Sequence, residues 1–318
     1  MTGVLNHKSR SGRETYTQAP DDGFPVRNPF PDRPNPTMKW VLLWGGLIMK
    51  MRWFLLCLLI CSSWVKAETI RVVGSSTLLP VMAEAAKQYQ RLHPGVTITV
   101  SGGGSGVGVA AMLGGSTDLG MISRSLTAAE KAQLGDRVTP VTIARDAVAV
   151  VVSGPIYEAG VRALSVDQIA AVYRGKIRNW SRLGGPDRPI LVIDKEAGRG
   201  TRHVFAQAVL GEAHARAPGV VIVAGSNNEM QALVARSDSA IGIVSLAWCN
   251  DRVRPLAIRT AAGEISPEGE PSGSYPLSRD LVLLTPSQRS AAIEGLIAYL
   301  LSQQGQAIVE TLGYQKVR

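Results

Sequence analysis

The sequence predicts an α/β fold, and three observations carry the prediction. Strand-like and helix-like patterns alternate from Thr69 to near the C-terminus, as in mostly parallel sheets flanked by helices. One run, Ala147–Val152, is continuously apolar, as a strand covered on both faces requires. Three glycine turns each follow a strand-like run and open a helix-like one: Gly74-Ser75-Ser76-Thr77, Gly102-Gly103-Gly104-Ser105-Gly106 and Gly198-Arg199-Gly200-Thr201.

The elements follow in order. Thr69–Val73 reads as a strand, and a helix begins near Pro80 with Val81, Ala85, Tyr89 and Leu92 along one stripe. His93-Pro94-Gly95 ends it, and Val96–Val100 alternates as the next strand. The second glycine turn opens a short helix through Met112, and Thr117–Ile122 is again strand-like. Thr127 with Glu130, and Ser165 with Gln168, have the spacing at which an N-cap hydroxyl and a side chain three residues on satisfy each other's backbone donors. Ile190–Ile193, Val220–Val223, Ala240–Val244 and Leu281–Leu284 are further strands, with a helix starting near Thr201. The final clear helix carries Ile293, Leu296, Ile297, Leu300 and Leu301 at amphipathic spacing.

Residues 1–48 are expected to be a disordered or mis-annotated extension, polar and proline-rich at the start. Residues 49–67 read as a signal peptide: Lys50 and Arg52, an apolar stretch Trp53–Ile60, and processing after Ala67. Leu58-Leu59-Ile60 before Cys61 lacks the small residues of a lipid-attachment site, so export by cleavage is expected. Of 34 basic and 25 acidic side chains, residues 1–67 hold nine and four, leaving 25 against 21 and a net charge of +4. With no Lys/Arg run and few aromatics, that excess gives no reason to expect nucleic acid. Cys249 is the one cysteine after residue 67, so no intramolecular disulfide is expected there.

The three turns suit one chemistry. A helix N-terminus presents unpaired N–H groups and partial positive charge, glycine lets the backbone approach, and Ser or Thr adds a donor. Three together predict a cage for a small oxyanion. Enzymatic readings find less support. Gly103-Gly104-Ser105-Gly106-Val107 lacks the second glycine of a nucleophile elbow. The histidines after residue 67 are His93, His203 and His214, with no helical pair and no cysteine cluster, so no metal and no cofactor is expected. No glycine loop ends in Lys-Ser or Lys-Thr, and no Gly-x-Gly-x-x-Gly follows a strand.

In their order, these landmarks resemble the phosphate-binding proteins of bacterial ABC transporters, the PstS-like periplasmic group, over about residues 69–317. The resemblance rests on the first two turns, Asp118-Leu119-Gly120 with Ser123-Arg124, Gly175-Lys176-Ile177-Arg178-Asn179-Trp180, Leu183-Gly184-Gly185-Pro186, Gly198–Arg202 and Tyr275-Pro276-Leu277-Ser278-Arg279. It implies a type II two-domain clamshell of mixed sheets flanked by helices, with the ligand in the interdomain cleft. Domain 1 is expected at 68–150 plus 245–318 and domain 2 at 151–244. The implied activity is not enzymatic: a periplasmic, monomeric protein captures inorganic phosphate or a similar oxyanion and delivers it to membrane permease subunits. Alternatives are binding or sensing of sulfate, molybdate or tungstate, and phosphomonoester hydrolysis.

By the same resemblance, Thr77 and the Leu78 N–H serve the first turn beside Ser76, Ser105 and Gly106 the second, and Gly200 and Thr201 the third. Three positions depart from the family's pattern. Lys195, with Glu196 as an orienting partner, stands where an arginine clamps the anion, and loses its planar fork. Arg199 stands where a serine is usual. Arg124 replaces the aspartate that accepts the ligand's proton in many members, which predicts weaker rejection of sulfate. The competing expectation is that Arg124 pairs with a nearby carboxylate and points away. Arg202 and His203 are expected at solvent or the domain seam.

Overall fold

Strands β1 (Glu68–Gly74), β2 (Val96–Ser101) and β3 (Leu119–Ile122) pair in parallel in the order β2-β1-β3, linked by α1 (Leu79–Leu92) and α2 (Ser105–Leu113). The computed structural model describes residues 67–268 and 275–317, so the expected extension and nearly all of the expected signal peptide lie outside the described residues. Pro80 sits in the first turn of α1, where its missing N–H costs nothing, and Val81, Met82, Ala85, Ala86 and Tyr89 form the buried stripe. Both expected capping pairs are present. Thr127 Oγ1 accepts from Glu130 N at 3.2 Å to start α3 (Ala128–Leu134), and Ser165 Oγ accepts from Gln168 N at 3.1 Å to start α5 (Val166–Tyr173), which follows the short α4 (Gly154–Glu158).

The central device is β4 (Val138–Ser153), 16 residues long. Its first part pairs antiparallel with β12 (Ser278–Pro286), from Val138↔Pro286 to Ala147↔Ser278. Its second part pairs with β8 (Ala240–Ser245), from Val148↔Ser245 to Val152↔Ile241. Among the described residues this makes one mixed nine-stranded sheet, β2-β1-β3-β12-β4-β8-β6-β7, with β6 (Leu191–Lys195) and β7 (Ile222–Ala224) parallel at the far edge and β9 (Val253–Pro255) on β4. A smaller sheet joins β5 (Ala163–Ser165), β10 (Ala257–Thr260) and β11 (Gly263–Ile265).

Two large apolar cores lie on either side of this changeover. The first gathers Ile70, Val72, Leu119, Met121, Ile143, Leu281 and Leu283 under α1, α8 (Ala291–Leu301) and α9 (Gln303–Thr311). The second runs from Ala147 to Leu277 and includes Tyr173, Trp180, Phe205, Met230 and Ile243. Val253, Leu256, Ile258, Tyr275 and Leu277 belong to this second core, although the expected domain 1 included them. The reason is pairing: β9 extends the second part of β4, and β10 joins β5. The Tyr275 hydroxyl donates to Val148 O at 3.1 Å, holding the chain there until β12 begins.

The third turn opens α6 (Gly200–Phe205), six residues that continue as a π-helical turn to Leu210. α7 (Asn227–Ala235), which the sequence reading did not assign, starts from the Ser226 hydroxyl accepting from Glu229 N at 3.1 Å.

Candidate functional site

The turns before α1, α2 and α6, the start of α7, and the ends of β3 and β12 meet in one buried cluster. Gly104 ties the first two turns together, its N–H donating to Gly74 O at 2.8 Å, and its φ of 101° is one that side chains resist. A Cβ there would also stand 2.8 Å from Arg199 Cδ. The second and third turns touch directly, Gly106 N donating to Gly198 O at 3.0 Å.

Hydroxyls converge from both cores. Ser75 Oγ donates to Ser123 Oγ at 2.9 Å, Ser123 N donates to Ser105 Oγ at 3.0 Å, and the Ser105 and Ser123 hydroxyls lie 3.4 Å apart. Arg279 reaches among them. Its Nη1 donates to Thr201 Oγ1 at 2.9 Å and its Nη2 to Thr77 Oγ1 at 3.3 Å. Asn227 Nδ2 also donates to Thr77 Oγ1, at 3.2 Å, while Asn227 Oδ1 accepts from Lys195 Nζ at 2.9 Å. All these side chains are buried. The two threonine oxygens accept with their lone pairs, so each O–H proton remains to be donated. The cluster therefore joins one guanidinium, one lysine and several hydroxyls around a point where negative charge is favoured.

Arg279 is itself held by Asp146, through Nη2 at 2.6 Å and Nε at 3.0 Å, with the two side chains 2% and 1% exposed. Ser245 Oγ donates to the other carboxylate oxygen at 2.9 Å. Asp146 and Arg279 are register partners across β4 and β12, which places both on one face of the sheet. Burial pushes the Asp146 carboxyl upward, while Arg279 and Ser245 pull against it. A cavity of about 710 Å³, lined in part by Ile122, Arg124, Ser125 and Val204, reaches this pair from outside the cluster.

The structure brings Thr77, Ser105, Lys195, Gly200 and Thr201 into this cluster, while the Gly106 N–H, expected to serve the ligand, is taken by Gly198 O. In the first turn Ser75 rather than Ser76 turns its hydroxyl inward; Ser76 stays half-buried. The Leu78 N–H donates to Ser75 O at 3.2 Å, and its side chain is sealed in the first core. Glu196 does not orient Lys195, because its carboxylate takes Arg199, with Nε at 2.8 Å and Nη2 at 2.7 Å. Arg199 thus lies across the rim, against Gly104. Arg202 is buried rather than facing solvent, paired with Asp194.

Arg124 does not join the cluster. Its Nη1 and Nη2 donate to the two Glu130 oxygens, each at 2.7 Å, and Nη1 also reaches Ser125 O. The Thr127–Glu130 cap fixes that carboxylate in place, so the guanidinium is drawn outward to it. Although burial pushes Glu130 upward, the Arg124 and Thr127 bonds hold it down at about 2. A depressed carboxyl adds stability above its unfolded value and loses it as pH falls through its folded value. Arg124→Met is therefore expected to leave anion affinity unchanged in calorimetry. It is expected to lower the denaturant midpoint at neutral pH, by a margin that shrinks between about pH 4.5 and about pH 2.

Sequence reading missed Ser123, Asp146, Asn227 and Arg279 as members of the site. Ser123 and Arg279 lie inside segments that the resemblance had already marked, and Asp146 is a charge set directly before the apolar run.

With this geometry in hand, the chain can be placed. A family description, PBP superfamily domain, matches residues 65–304, and the chain belongs to that superfamily. It has the type II two-domain α/β fold of the group. Among curated relatives it is similar to the phosphate-binding protein PstS of Bacillus subtilis, 28% identical over 252 residues, covering 77% of this chain and 80% of that one. Among solved structures it is similar to a phosphate ABC transporter substrate-binding protein with bound phosphate from Clostridium perfringens. That similarity has 29% identity and a TM-score of 0.70, and covers 79% of this chain and all of the other. An ABC-type phosphate transport receptor from Vibrio cholerae is 28% identical with a TM-score of 0.62, covering 77% and 99%.

Proposed function

We propose that this protein captures inorganic phosphate in the periplasm and delivers it, without chemical change, to the permease subunits of an ABC transporter. The observation that carries this reading is the convergence of the Thr77, Ser123 and Thr201 hydroxyls on Arg279, with Ser105 beside Ser123, drawn from elements of both cores. An anion at that point is contacted by both halves, so its binding free energy favours their approach. The names of the relatives and the bound phosphate of the Clostridium perfringens protein support phosphate as the occupant. We place the halves by their cores, the first at 68–146 plus 278–317 and the second at 147–268 plus 275–277, and take the working unit to be an exported monomer.

Calorimetry with phosphate tests the reading, and Thr201→Val tests the site. Valine keeps the shape of threonine and removes the hydroxyl. Losing a hydrogen bond to a charged ligand costs about 1.5–3 kcal/mol, so affinity is expected to fall roughly ten- to hundredfold. Unchanged affinity would move the site elsewhere. A phosphomonoesterase assay separates capture from hydrolysis, and turnover would reject capture alone.

A second reading, an oxyanion receptor that accepts sulfate as well, is favoured by one observation. Asp146, the carboxylate that holds the cluster's arginine, is already occupied by Arg279 and Ser245, which leaves the cage rich in donors. A carboxylate that only accepts is what selects a protonated anion. Competition calorimetry with excess sulfate decides: displacement of phosphate supports this reading, and indifference to sulfate removes it.

A further inference from the structure

Lys195 has an unusual setting for an ammonium. It ends β6 with 3% of its surface exposed, and among the described residues its side-chain hydrogen bond goes to a neutral acceptor, Asn227 Oδ1. Among the described residues no carboxylate lies within ion-pair distance of it. The charges that face it are Arg279 from β12, Arg199 from the third turn, Glu229 from α7 and Asp194 beside it on β6. The two acids are committed elsewhere. Asp194 is bonded to Arg202 and to the Lys195 main-chain N–H, and Glu229 accepts from Gly225 N at 2.6 Å. Glu196, which faces the same region, holds Arg199.

A buried cation with an amide for a partner and two guanidiniums for neighbours is held against its own electrostatics. A bound anion reverses that balance, because it supplies negative charge to all three cations at once. Asn227 connects the two sides: its Oδ1 takes the Lys195 ammonium and its Nδ2 reaches Thr77 of the first turn.

We propose that Lys195 is a specificity-determining residue that takes up a proton from solvent as the anion enters, so that the site favours doubly charged anions and weakens as pH rises. The proton adds to the Nζ lone pair, and no bond in the anion is broken. This rests on the reading of the cluster as an oxyanion cage. The direction agrees with the local energetics: burial, then Arg279 and Arg199, pushes the lysine down to about 7, against the upward pull of Glu229 and Asp194. The expected window is therefore the range above about pH 7, where the unliganded lysine loses its charge and the liganded one keeps it.

The test compares the wild type with Lys195→Arg, whose side chain stays charged throughout, using inorganic phosphate as the probe. Phosphate itself titrates in this range, and the comparison cancels that contribution. The ratio of wild-type to Lys195→Arg affinity is expected to fall roughly tenfold between about pH 7 and about pH 8.5. Calorimetry in two buffers of different ionisation enthalpy should also show the wild type taking up about three quarters of a proton more than the variant near pH 7.5. Lys195→Gln gives a second comparison, since it is never charged: the wild type's advantage over it should shrink across the same range. Affinity ratios and proton counts that do not change with pH would overturn the proposal while leaving the cage intact. If no variant or wild type binds phosphate at any pH, the cage reading falls and this proposal falls with it.

Discussion

Arg279→Met is expected to abolish anion binding and to remove about 3–5 kcal/mol of folding stability, the usual cost of leaving a buried charge without its partner. The side chain has two roles that the geometry separates. Its Nη atoms reach Thr77 and Thr201 in the cluster, while Nε and Nη2 satisfy Asp146 behind it. Removing the guanidinium takes the main cation from the cage and strands a carboxylate that burial already penalises. The double variant Arg279→Met with Asp146→Leu removes both charges from the same space and is expected to recover most of the lost stability. It should not recover binding. Denaturant unfolding reads the first quantity and calorimetry the second. If the double variant binds phosphate normally, Arg279 is a structural residue and the cage is misassigned.

Gly200→Ala is expected to lower phosphate affinity roughly ten- to hundredfold, as overpacking by about 1–3 kcal/mol implies. A Cβ at this position would overlap Ser105 Oγ, stand 2.5 Å from Ser123 Oγ, and press Ser123 O at 3.1 Å. Those serines belong to the first half of the molecule and Gly200 to the second, so the methyl group obstructs their approach. Within its own helix the change is benign, since Gly200 has no positive φ and alanine is the better helix former. The melting temperature without ligand is therefore expected to hold or rise while binding weakens. A loss of both together would mean that the substitution harms the fold.

The fold was legible where local rules and burial agree. The alternation of β1, α1 and β2, both capping pairs, and the stripe Ile293, Leu296, Ile297, Leu300 are written in spacing alone. The three-residue strands β5 and β9 were not legible, because each is too short to show a period and forms only against a partner distant in sequence. The same distinction runs through the site. Glycine turns advertise themselves, so Thr77, Ser105 and Thr201 were within reach. Arg279 lies just ahead of the expected strand Leu281–Leu284, and only the register of β12 with β4 sets it beside Asp146. Asn227 follows a serine cap and looks like one more helix-starting polar residue. Arg124 entered through the resemblance, as the replacement of an aspartate; the competing expectation, pairing with a nearby carboxylate, is the arrangement present, since Glu130 draws its side chain away.

Asp146 also stands one residue before β4 exchanges one partner strand for the other, between the Ala147↔Ser278 and Val148↔Ser245 pairs. With the halves proposed above the chain crosses twice, within β4 and just before β12, so a rotation of one half against the other falls on the two strands that the Asp146–Arg279 pair joins. A turn about those crossings would move the cage least and the outer edges farthest.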